Sequence, residues 1–144
     1  MESVLLVHAA ATWAMVGLIW FVQLVHYPLF AGVGEASFVT YEAGHTRRTT
    51  WVVALFMPVE ALTATWLTIA APAGVHPGVV AAGLVLVASL WITTAVWQAP
   101  MHGSLSLGYD AHVQKRLVAT NWVRTGLWSI RGGLVLVMLG QAMA

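Results

Sequence analysis

The sequence predicts an all-α fold, a four-transmembrane-helix bundle, and three observations carry that prediction. Of the 144 residues 60% are hydrophobic and 8% are charged, with a mean hydropathy of +0.82, a balance foreign to soluble domains. The apolar residues gather in four runs, 3–29, 49–71, 79–100 and 119–144, each close to the length a helix needs to cross a bilayer. The basic residues outside these runs also alternate. Arg47 and Arg48 follow the first run and Lys115 and Arg116 the third, while 72–77 has none.

Each helix can be justified in turn. The run 3–29 follows Glu2 instead of a basic stretch and is long, so it reads as a span and not as a cleaved signal. Residues 35–48 are polar and free of proline, which extends the second helix beyond the membrane, and 110–117 extend the fourth in the same way. Pro28, Pro72, Pro77 and Pro100 are expected at helix ends. Pro58 falls inside the second helix and is expected to kink it two residues before Glu60. The positive-inside rule then puts the first and third connections in the cytoplasm and both termini outside.

The halves 1–72 and 73–144 resemble each other. At an offset of about 71 residues Ile19-Trp20 aligns with Leu90-Trp91, Thr49-Thr50-Trp51-Val52 with Thr120-Asn121-Trp122-Val123, and Glu60 with Arg131. Pro28 and Pro100 correspond within one residue. The pattern is that of a tandem repeat of two-helix units within one membrane domain, related by an axis along the membrane normal.

That alignment sets Glu60 and Arg131 at one depth near the bilayer midplane, where an ionisable group is costly and so is paired or functional. The pair can be structural. Alternatively, Arg131 binds an anionic group and Glu60 is a catalytic proton carrier.

Polar residues also recur at helical spacing. His8 and His26 stand eighteen residues apart, five turns, and share a face with Thr12 and roughly with Gln23. Trp91, Thr94, Gln98 and His102 mark the third helix, and Asn121, Arg124, Trp128 and Arg131 the fourth. Polar side chains in a bilayer face the bundle interior, so these stripes are expected to meet in a cavity toward the cytoplasm. Trp51, Trp97 and Trp122 suit an interfacial belt, whereas Trp20, Trp91 and Trp128 are deeper and either pack or line a pocket.

His26, His45 and His102 fall at one end of their helices and are candidate metal ligands, because neutral imidazole binds iron, copper and zinc. Interfacial solvation is the other role open to them, and it suits His112 and His76 better. No H-x-x-x-H pair is present. Gln23, Gln98, Asn121, Arg124 and Arg131 are the candidate cofactor-binding side chains, although Arg124 can instead snorkel to the interface. The chain has no cysteine, which excludes disulfides, thiolate metal sites and dithiol chemistry.

Several strings carry a family likeness: Trp20-Phe21-Val22-Gln23, His26-Tyr27-Pro28-Leu29-Phe30, Tyr41-Glu42, His45 through Trp51, and Asn121-Trp122-Val123-Arg124-Thr125. They resemble an uncharacterised family of small four-span bacterial membrane proteins. More loosely, the His, Trp-Phe and Tyr order of the first helix is similar to the small haem-binding membrane protoporphyrinogen oxidases, from which this chain differs in having no intramembrane lysine.

The functional expectation is a protein of the bacterial inner membrane, a haem b- or iron-dependent oxidoreductase acting on an apolar or lipid-like substrate. The alternative, from another class, is a non-catalytic subunit or a lipid- or pigment-binding scaffold, with Gly132-Gly133 packed against a partner. The expected partners are the lipid bilayer, an apolar ligand and further copies or subunits in the membrane, and no nucleic acid.

Overall fold

The computed structural model describes residues 2–144, and there all four apolar runs are helical. Four helices are long and apolar enough to cross a membrane: α1, Glu2–Gly32; α2, Glu35–Ile69; α3, Pro77–Leu105; and α4, Ala111–Met143. In the bundle α2 and α4 each pack against both α1 and α3. At 1.5 Å per residue, α2 and α4, of 35 and 33 residues, are about 50 Å long and outreach a hydrocarbon core of roughly 30 Å. The polar extensions read from the sequence are therefore helical.

The helix starts follow local chemistry. Asp110 caps α4 by accepting from the backbone N–H groups of His112 at 2.7 Å and Val113 at 3.1 Å, which satisfies donors that have no partner within the helix. His76 caps α3 through Nδ1, which accepts from Gly78 N–H at 3.1 Å, and Pro77 takes the first helical position. The His76 N–H donates to Gln141 Oε1 at 3.0 Å and ties this connection to the end of α4. Gly74 has φ +82°, and a Cβ there would lie 2.7 Å from the Gln141 carbonyl oxygen, so the turn needs glycine.

Two prolines expected at helix ends lie inside helices instead. A π-helical turn, Val22–His26, precedes Pro28, and another, Thr94–Gln98, precedes Pro100. In each the closing bond runs five residues back, from Tyr27 N–H to Val22 O and from Ala99 N–H to Thr94 O. The wider turn takes up the backbone displaced by a ring that cannot donate, and the helix continues. The inserted residue also rotates everything beyond it by about 100°. His8 and His26, about 27 Å apart along the helix, belong to separate polar clusters, His8 with Arg131 and His26 with His45.

Three apolar layers fill the bundle. Met15, Ile19, Met57, Leu90 and Trp128 form the middle, Phe30, Phe38, Leu105 and Leu117 the end near the α1/α2 connection, and Leu5, Leu67, Val80 and Met138 the other end. The outward face is apolar too, with Leu55, Leu62, Val85, Ile92 and Leu136 exposed, which suits helices surrounded by hydrocarbon. Trp20 and Trp91 point outward, and of the three deep tryptophans only Trp128 is buried. Gly132 packs within the chain, where a Cβ would meet Val16 and Trp13 at 3.3 and 3.4 Å, while Gly133 faces open space.

Candidate functional site

Polar side chains collect in two places, one on each side of the middle apolar layer. The first is centred on Arg131, which is 1% exposed. Its Nε donates to Glu60 Oε1 at 2.8 Å, Nη1 to the Gly83 carbonyl, and Nη2 to His8 Nε2 at 3.2 Å and Thr12 Oγ1 at 3.5 Å. The other carboxylate oxygen of Glu60 accepts from Trp128 Nε1 at 3.1 Å. Arginine can only donate, so His8 Nε2 presents its lone pair and the ring proton sits on Nδ1. Nδ1 then donates to Thr63 Oγ1 at 2.7 Å, and that hydroxyl donates to the Val59 carbonyl at 2.7 Å.

This network joins all four helices and leaves its charges compensated. Glu60, expected as the proton carrier, lines neither cavity, and both of its oxygens are occupied. Arg131, expected to hold a cofactor, is likewise engaged by protein groups. The arrangement is a buried clasp that links the four helices through side-chain contacts.

The second cluster lies toward the α1/α2 and α3/α4 connections. Its centre is His102, whose Nδ1 is 2.6 Å from Glu42 Oε1 and whose Nε2 is 2.9 Å from the Tyr27 hydroxyl. With Glu42 ionised, Nδ1 donates to the carboxylate and Nε2 accepts from Tyr27. The order is a carboxylate that orients an imidazole and an imidazole placed to receive a hydroxyl proton. Glu42 is 0% exposed, and Tyr27 is held from behind by Gln114 Nε2, which donates to its carbonyl at 3.1 Å. Beside this relay His26 Nε2 and His45 Nδ1 share a hydrogen bond of 2.7 Å, and Thr49 Oγ1 lies 3.2 Å from the same His45 nitrogen.

A cavity of ≈ 390 Å³ opens here between α2 and α3, within the size range of small-molecule sites. Tyr27, His45, Thr49, Gln98, His102 and Arg124 supply its polar wall, and Val53, Met57, Ala99 and Gly103 its apolar one. Arg124 is positioned by a directional chain: its Nη1 donates to Asn121 Oδ1 at 3.0 Å, Asn121 Nδ2 to Gln23 Oε1 at 2.9 Å, and Gln23 Nε2 to the Val118 carbonyl at 3.3 Å. The guanidinium carbon lies 5.1 Å from the Trp128 ring centroid. Three buried polar atoms have no partner, namely Glu42 Oε2, Gln98 Oε1 and Arg124 Nε. A larger recess of ≈ 730 Å³ lies along the outer end of α2, lined by Arg47, Arg48, Tyr41 and His26, and His45 and Thr49 border both spaces.

Of the residues singled out from sequence, His45, His102, Gln98 and Arg124 line the inner cavity, Asn121 and Gln23 support Arg124, and His26 stands behind His45. The three histidines do meet, but their nitrogens are directed at one another and at Tyr27, Glu42 and Thr49. Among the described residues no group of three or more His, Asp or Glu side chains is arranged to hold a metal ion. Sequence reasoning passed over Glu42 and Tyr27 as site residues. The signal that could have found Glu42 is its spacing: Phe38, Glu42 and His45 fall on one helical face, buried throughout.

No family model, curated protein or solved structure matches this chain.

Proposed function

We propose that the protein is a membrane enzyme that moves a proton on an apolar or lipid-like molecule held between α2 and α3. The observation that carries this reading is the buried relay of Tyr27, His102 and Glu42 beside a cavity with an unpartnered arginine donor. Tyr27 passes its proton to His102 Nε2 and, as a phenolate, takes a proton from the substrate. The imidazolium formed is balanced by Glu42, and the substrate is left as an anion facing Arg124. Each group meets charge where it develops. Reversal returns the proton to the substrate at the same or a neighbouring atom.

The site lies in the cytoplasmic half of a bacterial inner membrane, with both termini outside. Support comes from Arg47, Arg48, Lys115 and Arg116, which all fall at this end. The halves of the chain descend from one two-helix unit, supported by the two π turns, whose positions differ by 72 residues. An oxidoreductase with haem b or iron on His26, His45 and His102 requires those rings to give up their present partners, and metal analysis with a visible spectrum of the purified protein tests it.

Deuterium uptake tests the proton transfer. Membranes carrying wild type, Tyr27→Phe or His102→Gln are incubated in D₂O with a lipid extract of the host. Wild type is expected to place one deuterium on a carbon of some lipid-soluble species, and both variants to lose that activity. No labelled species with folded wild type would favour the non-catalytic scaffold.

A further inference from the structure

Arg124 is a buried cation with no carboxylate partner. It is 6% exposed, and the ion pairs among the described residues, Glu60 with Arg131 and Glu42 with His102, do not include it. An amide oxygen, the Tyr27 hydroxyl and an aromatic face compensate a guanidinium only in part, and Nε has no acceptor. A charge held this way at depth in a bilayer is completed by an anion. The cavity at its side is where that anion can enter.

Gln98 adds the second half of the specification. It is 2% exposed, and its Nε2 donates to Thr120 Oγ1 at 3.3 Å while Oε1 accepts from nothing. Asn121 fixes Arg124 and Thr120 fixes Gln98, so both side chains are tethered to neighbouring residues of α4. A ligand is therefore asked for an anionic oxygen and for a hydrogen to donate. The rest of its body meets Val53, Met57, Ala99 and Gly103 and continues toward the bilayer.

We infer that the cavity takes an apolar acid with a neighbouring hydroxyl, such as a 2-hydroxy fatty acid, its anionic oxygen on Arg124 Nε and its hydroxyl donating to Gln98 Oε1. This rests on the site proposed above and adds the substrate class to it. Neutral alcohols leave the cation unanswered, and plain fatty acids leave the Gln98 carbonyl unpaired.

Calorimetric titration of the protein in phosphatidylcholine nanodiscs with decanol, decanoate and 2-hydroxydecanoate tests this, because partition into the bilayer is common to every variant. Wild type should bind 2-hydroxydecanoate roughly tenfold more tightly than decanoate, and decanoate more tightly than decanol. Arg124→Met should bring both acids down to decanol. Gln98→Leu should remove only the advantage of the hydroxyl. Arg124→Met deletes an uncompensated charge, so it should melt no lower than wild type. If it does melt lower, Arg124→Lys, which keeps the cation and lacks the Nε–H, should bind both acids more weakly than wild type. Equal binding of the three probes, or acid binding untouched by either arginine substitution, overturns the inference. The outcomes separate from those of the deuterium experiment: acid preference without label uptake sinks the proton transfer alone, and label uptake without acid preference sinks this inference alone.

Discussion

Glu60 and Arg131, 71 residues apart in sequence, meet at 2.8 Å in the middle of the bundle, each at most 2% exposed. Removing one partner strands the other charge in low dielectric, at a cost of about 3–5 kcal/mol. Glu60→Gln and Arg131→Met are accordingly each expected to lower the thermal unfolding midpoint in detergent by a wide margin. The double substitution should recover much of the loss, though not all of it, because Trp128 Nε1 and His8 Nε2 still lose their partners. Additive losses would mean that the two residues act independently.

His8 belongs to the same clasp through its lone pair on Nε2. His8→Leu should cost about 1–3 kcal/mol, since it removes an acceptor from a buried guanidinium and a donor from Thr63. Binding at the cavity should be unchanged, as His8 does not line it. Titration of His8→Leu with 2-hydroxydecanoate after a thermal scan checks both parts.

How much of this was legible in the sequence differs between the two clusters. The four helices were, because hydrocarbon thickness imposes a length that apolar runs record directly. The Glu60 and Arg131 pair was also legible, since a charge inside an apolar run is conspicuous. Glu42 was not. It lies in the polar extension of α2, where a carboxylate ordinarily faces water, and only the packing of Phe30, Phe38 and Leu117 at that end buries it. Tyr27 was hidden by the π turn before it, which changes the helical phase in a way that periodicity counted at 3.6 cannot register.

Asp110 gives the α4 start a pH dependence. Accepting from the backbone N–H groups of Val113 and His112 holds its carboxyl below the ordinary value near 3.8. A group with a depressed folded value stabilises fully above its unfolded value and loses that contribution as pH falls through the folded one. Hydrogen exchange at the first turn of α4 should therefore quicken below about pH 3.8 in wild type. In Asp110→Asn, which still caps but does not titrate, the rise should be absent.

The alternation of basic residues predicts the orientation of the chain. Reporter fusions at Ala73 and after Ala144 should report the outside, and one at Gly108 the inside. A cytoplasmic signal at Ala73 would reverse the side on which the cavity opens.

The central claim is that the cavity between α2 and α3 holds a molecule. Gly103 is the place to block it, because it lines the cavity and a Cβ there meets nothing within 4 Å, so the side chain of Gly103→Phe starts from open space. Mass spectrometry of the small molecules carried through purification should find an apolar acid retained by wild type and absent from Gly103→Phe, with the two proteins melting alike. The same set of molecules retained by both would contradict the account.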